Sequence, residues 1–235
     1  MNSLSARAYG LIRRPRATFE AILTAPAWAS VLAATTVVTF ICGAGLLRTE
    51  IGRQALVDQW ERTALAFGQT IDDAEYARME DTAASGRFGL AYPAVTALAN
   101  GPALAFGLAA LLFPVLNRTT GRRASYVQVL AVVCYAGVIL ALRQLVATPI
   151  DYVRESTASP TTLVQFFTML DEASPTARFL GVIDLFVIWW IVVLAIGVSV
   201  LYQRPTRVLA LVLTGAYVAL ALLAALAMAA SGGTA

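Results

Sequence analysis

Lysine and histidine are absent, and all 17 basic residues are arginine. Without them the chain has no imidazole for general-base or metal-ligand work and no amine for a Schiff base, which removes the commonest catalytic designs. Cysteine is scarce: Cys42 and Cys134 both fall inside apolar runs, where a thiol behaves as a small hydrophobe. Neither a disulfide nor a metal site is expected from them. Charge of either sign is also thin, 13% of residues against 59% hydrophobic, a balance that suits a multi-pass membrane protein rather than a water-soluble domain. No G-x-S-x-G or H-E-x-x-H pattern occurs, and Asp184 has no second intramembrane acid with which to perform carboxylate-pair chemistry. The expectation is therefore a non-enzymatic protein without cofactor. Its arginines are scattered over loop ends, which argues against nucleic-acid binding.

What the chain has in abundance is long apolar stretches. Phe179 to Tyr202 is an almost unbroken run whose only charge is Asp184. As a helix it would extend roughly 36 Å, enough to cross a hydrocarbon core of about 30 Å with some tilt. Similar runs cover 27–47, 90–116, 125–148 and 208–228. The sequence thus predicts an all-α polytopic membrane protein, a five-transmembrane-helix bundle with amphipathic surface helices. Its parts would be a cytoplasmic interfacial segment at 1–26, a membrane domain over 27–229 with insertions at 48–88 and 150–178, and a tail at 230–235. The first run is read as an uncleaved span, because its length exceeds that of a signal-peptide core.

Loop charges set the predicted orientation. The segment 1–26 and the loops at 117–124 and 203–207 together hold nine arginines and one acid, Glu20. The two insertions hold seven arginines and twelve acids. By the positive-inside rule the N-terminus is cytoplasmic and the C-terminus extracytoplasmic.

Several residues are candidates for particular roles. Arg7, Arg13, Arg14 and Arg16 lie among apolar residues at helical spacing, a pattern suited to binding an anionic membrane surface. Arg143 and Asp184 sit at matching predicted depth in consecutive spans, which predicts a buried ion pair, and Asn100 at a similar level would extend it into a polar cluster. Pro102 predicts a kink, and Pro149 the end of the third span. Thr70 and Asp73 resemble a capping box, and a Pro160-initiated stretch with Leu163, Phe166, Phe167 and Leu170 reads as a surface helix. Small-residue stripes at Ala99, Ala103 and Gly107, and at Gly215 and Ala219, predict close helix contacts.

The segments RRPRATFEAIL, TGRRASYVQVLAVVCYAGVI and IDLFVIWWIVVLAIGVSVLY, followed by a last apolar run, resemble the bacterial branch of the Yip family. The resemblance implies five helices, a cytoplasmic N-terminus, a bacterial inner membrane and a membrane-organising or adaptor role. Eukaryotic members associate with Ypt/Rab GTPases, but the DLYGP motif typical of them is lacking and the GTPase partner does not carry over. The expected partners are the lipid bilayer and other membrane proteins or further copies of the chain. The expected function is a scaffold or adaptor, with a transport or lipid-moving component built around Asn100, Arg143 and Asp184 as the alternative.

Overall fold

The computed structural model describes residues 3–167 and 174–231. Its elements are α-helices α1 (Leu4–Arg13), α2 (Pro15–Thr24), α3 (Ala29–Leu47), α4 (Glu50–Ala66), α5 (Asp73–Ala84), α6 (Phe88–Leu98), α7 (Leu104–Thr120), α8 (Tyr126–Ala136), α9 (Val138–Val153), α10 (Pro175–Val182), α11 (Leu185–Tyr202) and α12 (Thr206–Ser231). A π-helical turn, Ala99–Ala103, joins α6 to α7, and a 3-10 turn covers Leu163–Phe166. Among the described residues five helical stretches are long and apolar enough to cross a membrane: Ala29–Leu47, Phe88–Thr120, Tyr126–Val153, Leu185–Tyr202 and Thr206–Ala227. The protein is an all-α polytopic membrane protein.

The chain forms two compact units. The first draws on Met1–Thr39, Thr96–Arg143 and Phe186–Ala216, the second on Phe40–Val95, Gln144–Leu185 and Tyr217–Ala235.

The first unit is built around α8. Every residue from Val129 to Ala136 is buried, so this helix is enclosed on all sides and needs no polar face. Part of the enclosure comes from the N-terminal helices. Ser3 caps α1, accepting the Ala6 N–H at 3.3 Å, and Pro15 opens α2, where its missing N–H costs nothing. Leu11, Phe19 and Ile22 are completely buried in the same core as Val129–Ala136. The sequence reading of this segment as an interfacial helix is therefore corrected in one respect: its apolar face packs into the protein. Gly197 makes the packing possible, because a Cβ there would lie 2.6 Å from Val132 Cγ1 and 2.9 Å from Phe19 Cζ.

Pro102 does not merely kink its helix. Lacking an N–H and crowding the preceding turn, it is absorbed by the π-helical turn Ala99–Ala103. Gly101 in that turn faces Thr36, whose Oγ1 leaves no room for a side chain. Ala99, Ala103 and Gly107 are exposed, and a Cβ on Gly107 or Gly215 would meet nothing. Gly107 and Gly215 are thus not sites of close approach, whereas Gly43, Gly52, Gly101 and Gly197 are.

In the second unit α4 and α5 form a hairpin. Asp72, rather than Thr70, caps α5, accepting the Glu75 N–H at 2.7 Å. Trp60, Phe88 and Tyr92 form an aromatic cluster with centroid separations of 5.2–6.1 Å. Pro149 lies inside α9, which continues to Val153, so the predicted end of that helix is also corrected. The predicted Pro160-initiated helix is replaced by a turn at Pro160 and Thr161, the bridge residue Thr162 and the 3-10 turn, while Leu170 lies outside the described residues.

Candidate functional site

The apolar stretch Phe179 to Tyr202 is not one helix. It divides into α10 and α11, with Ile183 and Asp184 extended between them. A break in an apolar stretch frees backbone N–H and carbonyl groups, each of which needs a partner when buried. The partners come from the second unit. Leu163 N–H donates to the Ile183 carbonyl at 2.8 Å, and Leu185 N–H donates to the Thr161 carbonyl at 3.0 Å, forming an antiparallel bridge between Thr162 and Asp184. Tyr217 on α12 serves the other two groups: its hydroxyl donates to the Val182 carbonyl at 2.7 Å and accepts the Asp184 N–H at 3.1 Å.

The Asp184 carboxylate is buried, 4% exposed, directly before α11. Its Oδ2 accepts hydrogen bonds from Thr161 Oγ1 at 2.7 Å and Ser159 Oγ at 2.9 Å. A carboxylate at the N-terminal end of a helix also meets the positive end of the helix dipole. This arrangement joins a helix break, a buried acid and two hydroxyl donors in one place. Chemically it can hold a charge or exchange a proton. Among the described residues no group of three or more His, Cys, Asp or Glu could hold a metal ion.

Of the other sequence-predicted residues, Asn100 is exposed in the π-helical turn and Arg143 is half-buried in α9. Of the four N-terminal arginines, Arg7 donates from Nη1 to the Tyr135 hydroxyl at 2.9 Å and is partly withdrawn from the surface. Arg13 lies over the Tyr9 ring at 5.4 Å, Arg14 is exposed between α1 and α2, and Arg16 pairs with Glu20 at 3.7 Å on the surface. Sequence reasoning missed Ser159, Thr161 and Tyr217. The hydroxyl-rich run Ser159-Pro160-Thr161-Thr162 was the available signal, since hydroxyls beside a membrane-embedded acid are natural donors to it.

The loops at one end of the first unit are tied together. Asn117 Oδ1 accepts from Tyr202 Oη at 2.9 Å and from Ala124 N–H at 3.0 Å, and Arg204 Nη2 donates to the Thr120 carbonyl at 2.8 Å. These bonds leave Arg118, Arg122, Arg123 and Arg207 exposed around them.

No curated protein and no solved structure matches the chain. A family model described as the Yip1 domain matches residues 9–228, a span that takes in all five apolar helical stretches and both halves of the Asp184 junction. By that match the chain belongs to the Yip1-domain family of membrane proteins.

Proposed function

We propose that the protein is a non-enzymatic membrane scaffold or adaptor that gathers other membrane proteins or lipids around its spans. The supporting observation is the exposure of α12: in its apolar stretch only 11% of residues are buried, and Leu211, Val212, Leu220 and Leu223 stand 62–74% exposed. Leu209, Leu213 and Tyr217 mark the side of this helix that packs within the chain, and the opposite side is offered to neighbours in the bilayer. Photo-crosslinkers placed at Leu211 and Leu223 in native membranes should capture one stoichiometric protein partner or a second copy. Capture of lipid alone at both positions would defeat the scaffold reading.

The proposed location is a bacterial inner membrane, with the N-terminus cytoplasmic and the C-terminus outside. Reporter fusions after Arg123 and Arg207 should then behave as cytoplasmic, and fusions near Asp72 and Ser159 as extracytoplasmic. A cytoplasmic signal at Asp72 would overturn this topology. The second reading, a transport or lipid-moving component, is favoured by the break at Asp184, since discontinuous helices with polar groups at the break are common at transported-substrate sites. Flux of lipid or ions through proteoliposomes would favour it over the scaffold.

A further inference from the structure

Beside the Asp184 junction, wholly within the second unit, lies a cleft of about 340 Å³ between α4 and the 158–165 segment. Three observations define what would fit it. The first is its level. The segment 161–163 bridges to 183–185, and Leu185 is the first residue of a membrane-crossing helix, so this wall of the cleft lies at the boundary between hydrocarbon and headgroups. Helix α4 is tied to the segment preceding this wall: Thr157 Oγ1 lies within hydrogen-bond reach of the Ala55 carbonyl at 2.9 Å and of Gln59 Oε1 at 2.7 Å.

The second is the character of the lining. The lining combines apolar Phe67 and Val164 with polar Thr63 and Thr162 and the basic Arg62. Phe67 is 50% exposed, and Phe166 and Phe167, just beyond Val164, are 64% and 53% exposed.

The third is charge. Arg62 is exposed and takes part in neither ion pair found among the described residues. A second guanidinium is close by, because Arg154 Nη2 donates to Gln165 Oε1 at 2.6 Å and Gln165 lines the cleft.

We infer that this cleft binds a single phospholipid with an anionic headgroup, its phosphate on Arg62 and its acyl chain along Phe67 and Val164. Arginine is suited to the phosphate by its fork of donors, and Phe67 and Val164 offer apolar surface to an acyl chain. The inference goes beyond the scaffold reading and holds whether or not that reading does.

The test uses the full chain in phosphatidylcholine nanodiscs with a trace of a phosphatidylglycerol analogue carrying a diazirine near the head of its acyl chain. Label should concentrate on peptides covering 59–67 and 158–165. Arg62→Gln should lower it by about tenfold, in keeping with the loss of a charge-assisted bond at an exposed site. Gly181→Leu should abolish it by filling the cleft, since a Cβ there already stands 3.8 Å from Val164 Cγ1. Unlabelled phosphatidylglycerol should compete, and inorganic phosphate should not. Label spread evenly along the spans, or unchanged in Arg62→Gln, would overturn the site. Equal competition by inorganic phosphate would overturn the lipid assignment. Because Arg62 is exposed, its substitution keeps the fold and the test stays decisive even if Gly181→Leu fails to fold.

Discussion

Thr161 donates its hydroxyl to the carboxylate of Asp184 at 2.7 Å, and both residues are buried. The same two segments are joined through their backbones by the Leu185 N–H to Thr161 carbonyl bond, so one residue satisfies both a helix start and a buried acid. Thr161→Val keeps the shape and removes the donor. The cost should be about 1–3 kcal/mol, the range for leaving a buried polar group short of a partner. Ser159→Ala should cost less, because Ser159 is only part-buried. Thermal unfolding in detergent checks both, and a wild-type midpoint for Thr161→Val would show that the carboxylate does not depend on it.

Much of the architecture was legible in the sequence, for a physical reason. A bilayer demands long apolar helices, and their lengths and low charge stand out without any knowledge of packing. What did not show was how polar groups at membrane level are satisfied. Asp184 was visible as an anomaly in its apolar stretch, yet Thr161 and Tyr217, which make the helix break tolerable, come from distant parts of the chain. The role of the N-terminal helices was hidden in the same way. Leu11 and Phe19 have the spacing of a membrane-surface helix, and an apolar stripe reads alike whether it faces lipid or protein.

Glycine positions separate real from apparent close packing. Gly197→Leu should sharply lower the yield of folded protein, because even a Cβ would overlap Val132 and Phe19. Gly107→Leu and Gly215→Leu should be tolerated, since both sites open onto free space. Fluorescence-detected size exclusion on the three variants is sufficient, and loss of folded protein in Gly215→Leu with none in Gly197→Leu would reverse the assignment.

The α4–α5 hairpin should weaken at alkaline pH. Tyr76 donates its hydroxyl to Asp58 Oδ1 at 3.2 Å and accepts from Gln54 Nε2 at 2.6 Å. Its phenol is raised above the usual value, first by burial and then by the hydrogen bond and negative charge of Asp58. A raised folded-state value means the contribution is intact below the ordinary phenol value of about 10 and is lost as pH rises through the folded one. The thermal midpoint of the wild type should therefore fall more steeply above about pH 10 than that of Tyr76→Phe, which cannot ionise there. Parallel pH profiles for the two proteins would exclude this coupling.

The docking of α1 and α2 has a direct chemical readout. Ile12 is 44% exposed, whereas Phe19 is completely buried. A helix lying loosely on the membrane surface would bury both positions in lipid or expose both on detachment, but a helix packed on α8 protects only Phe19. In a background with Cys42 and Cys134 replaced by alanine, a cysteine at Ile12 should react with a small maleimide while one at Phe19 should not. Protection at Phe19 should decline when the contact is loosened by Tyr135→Phe, which removes the acceptor that holds Arg7 at 2.9 Å. The bond alone is worth only about 1.5–3 kcal/mol because Arg7 is charged, so the expected change is faster labelling rather than complete exposure. Equal reactivity at Ile12 and Phe19 in the otherwise intact protein would mean that the N-terminal helices are not part of the core.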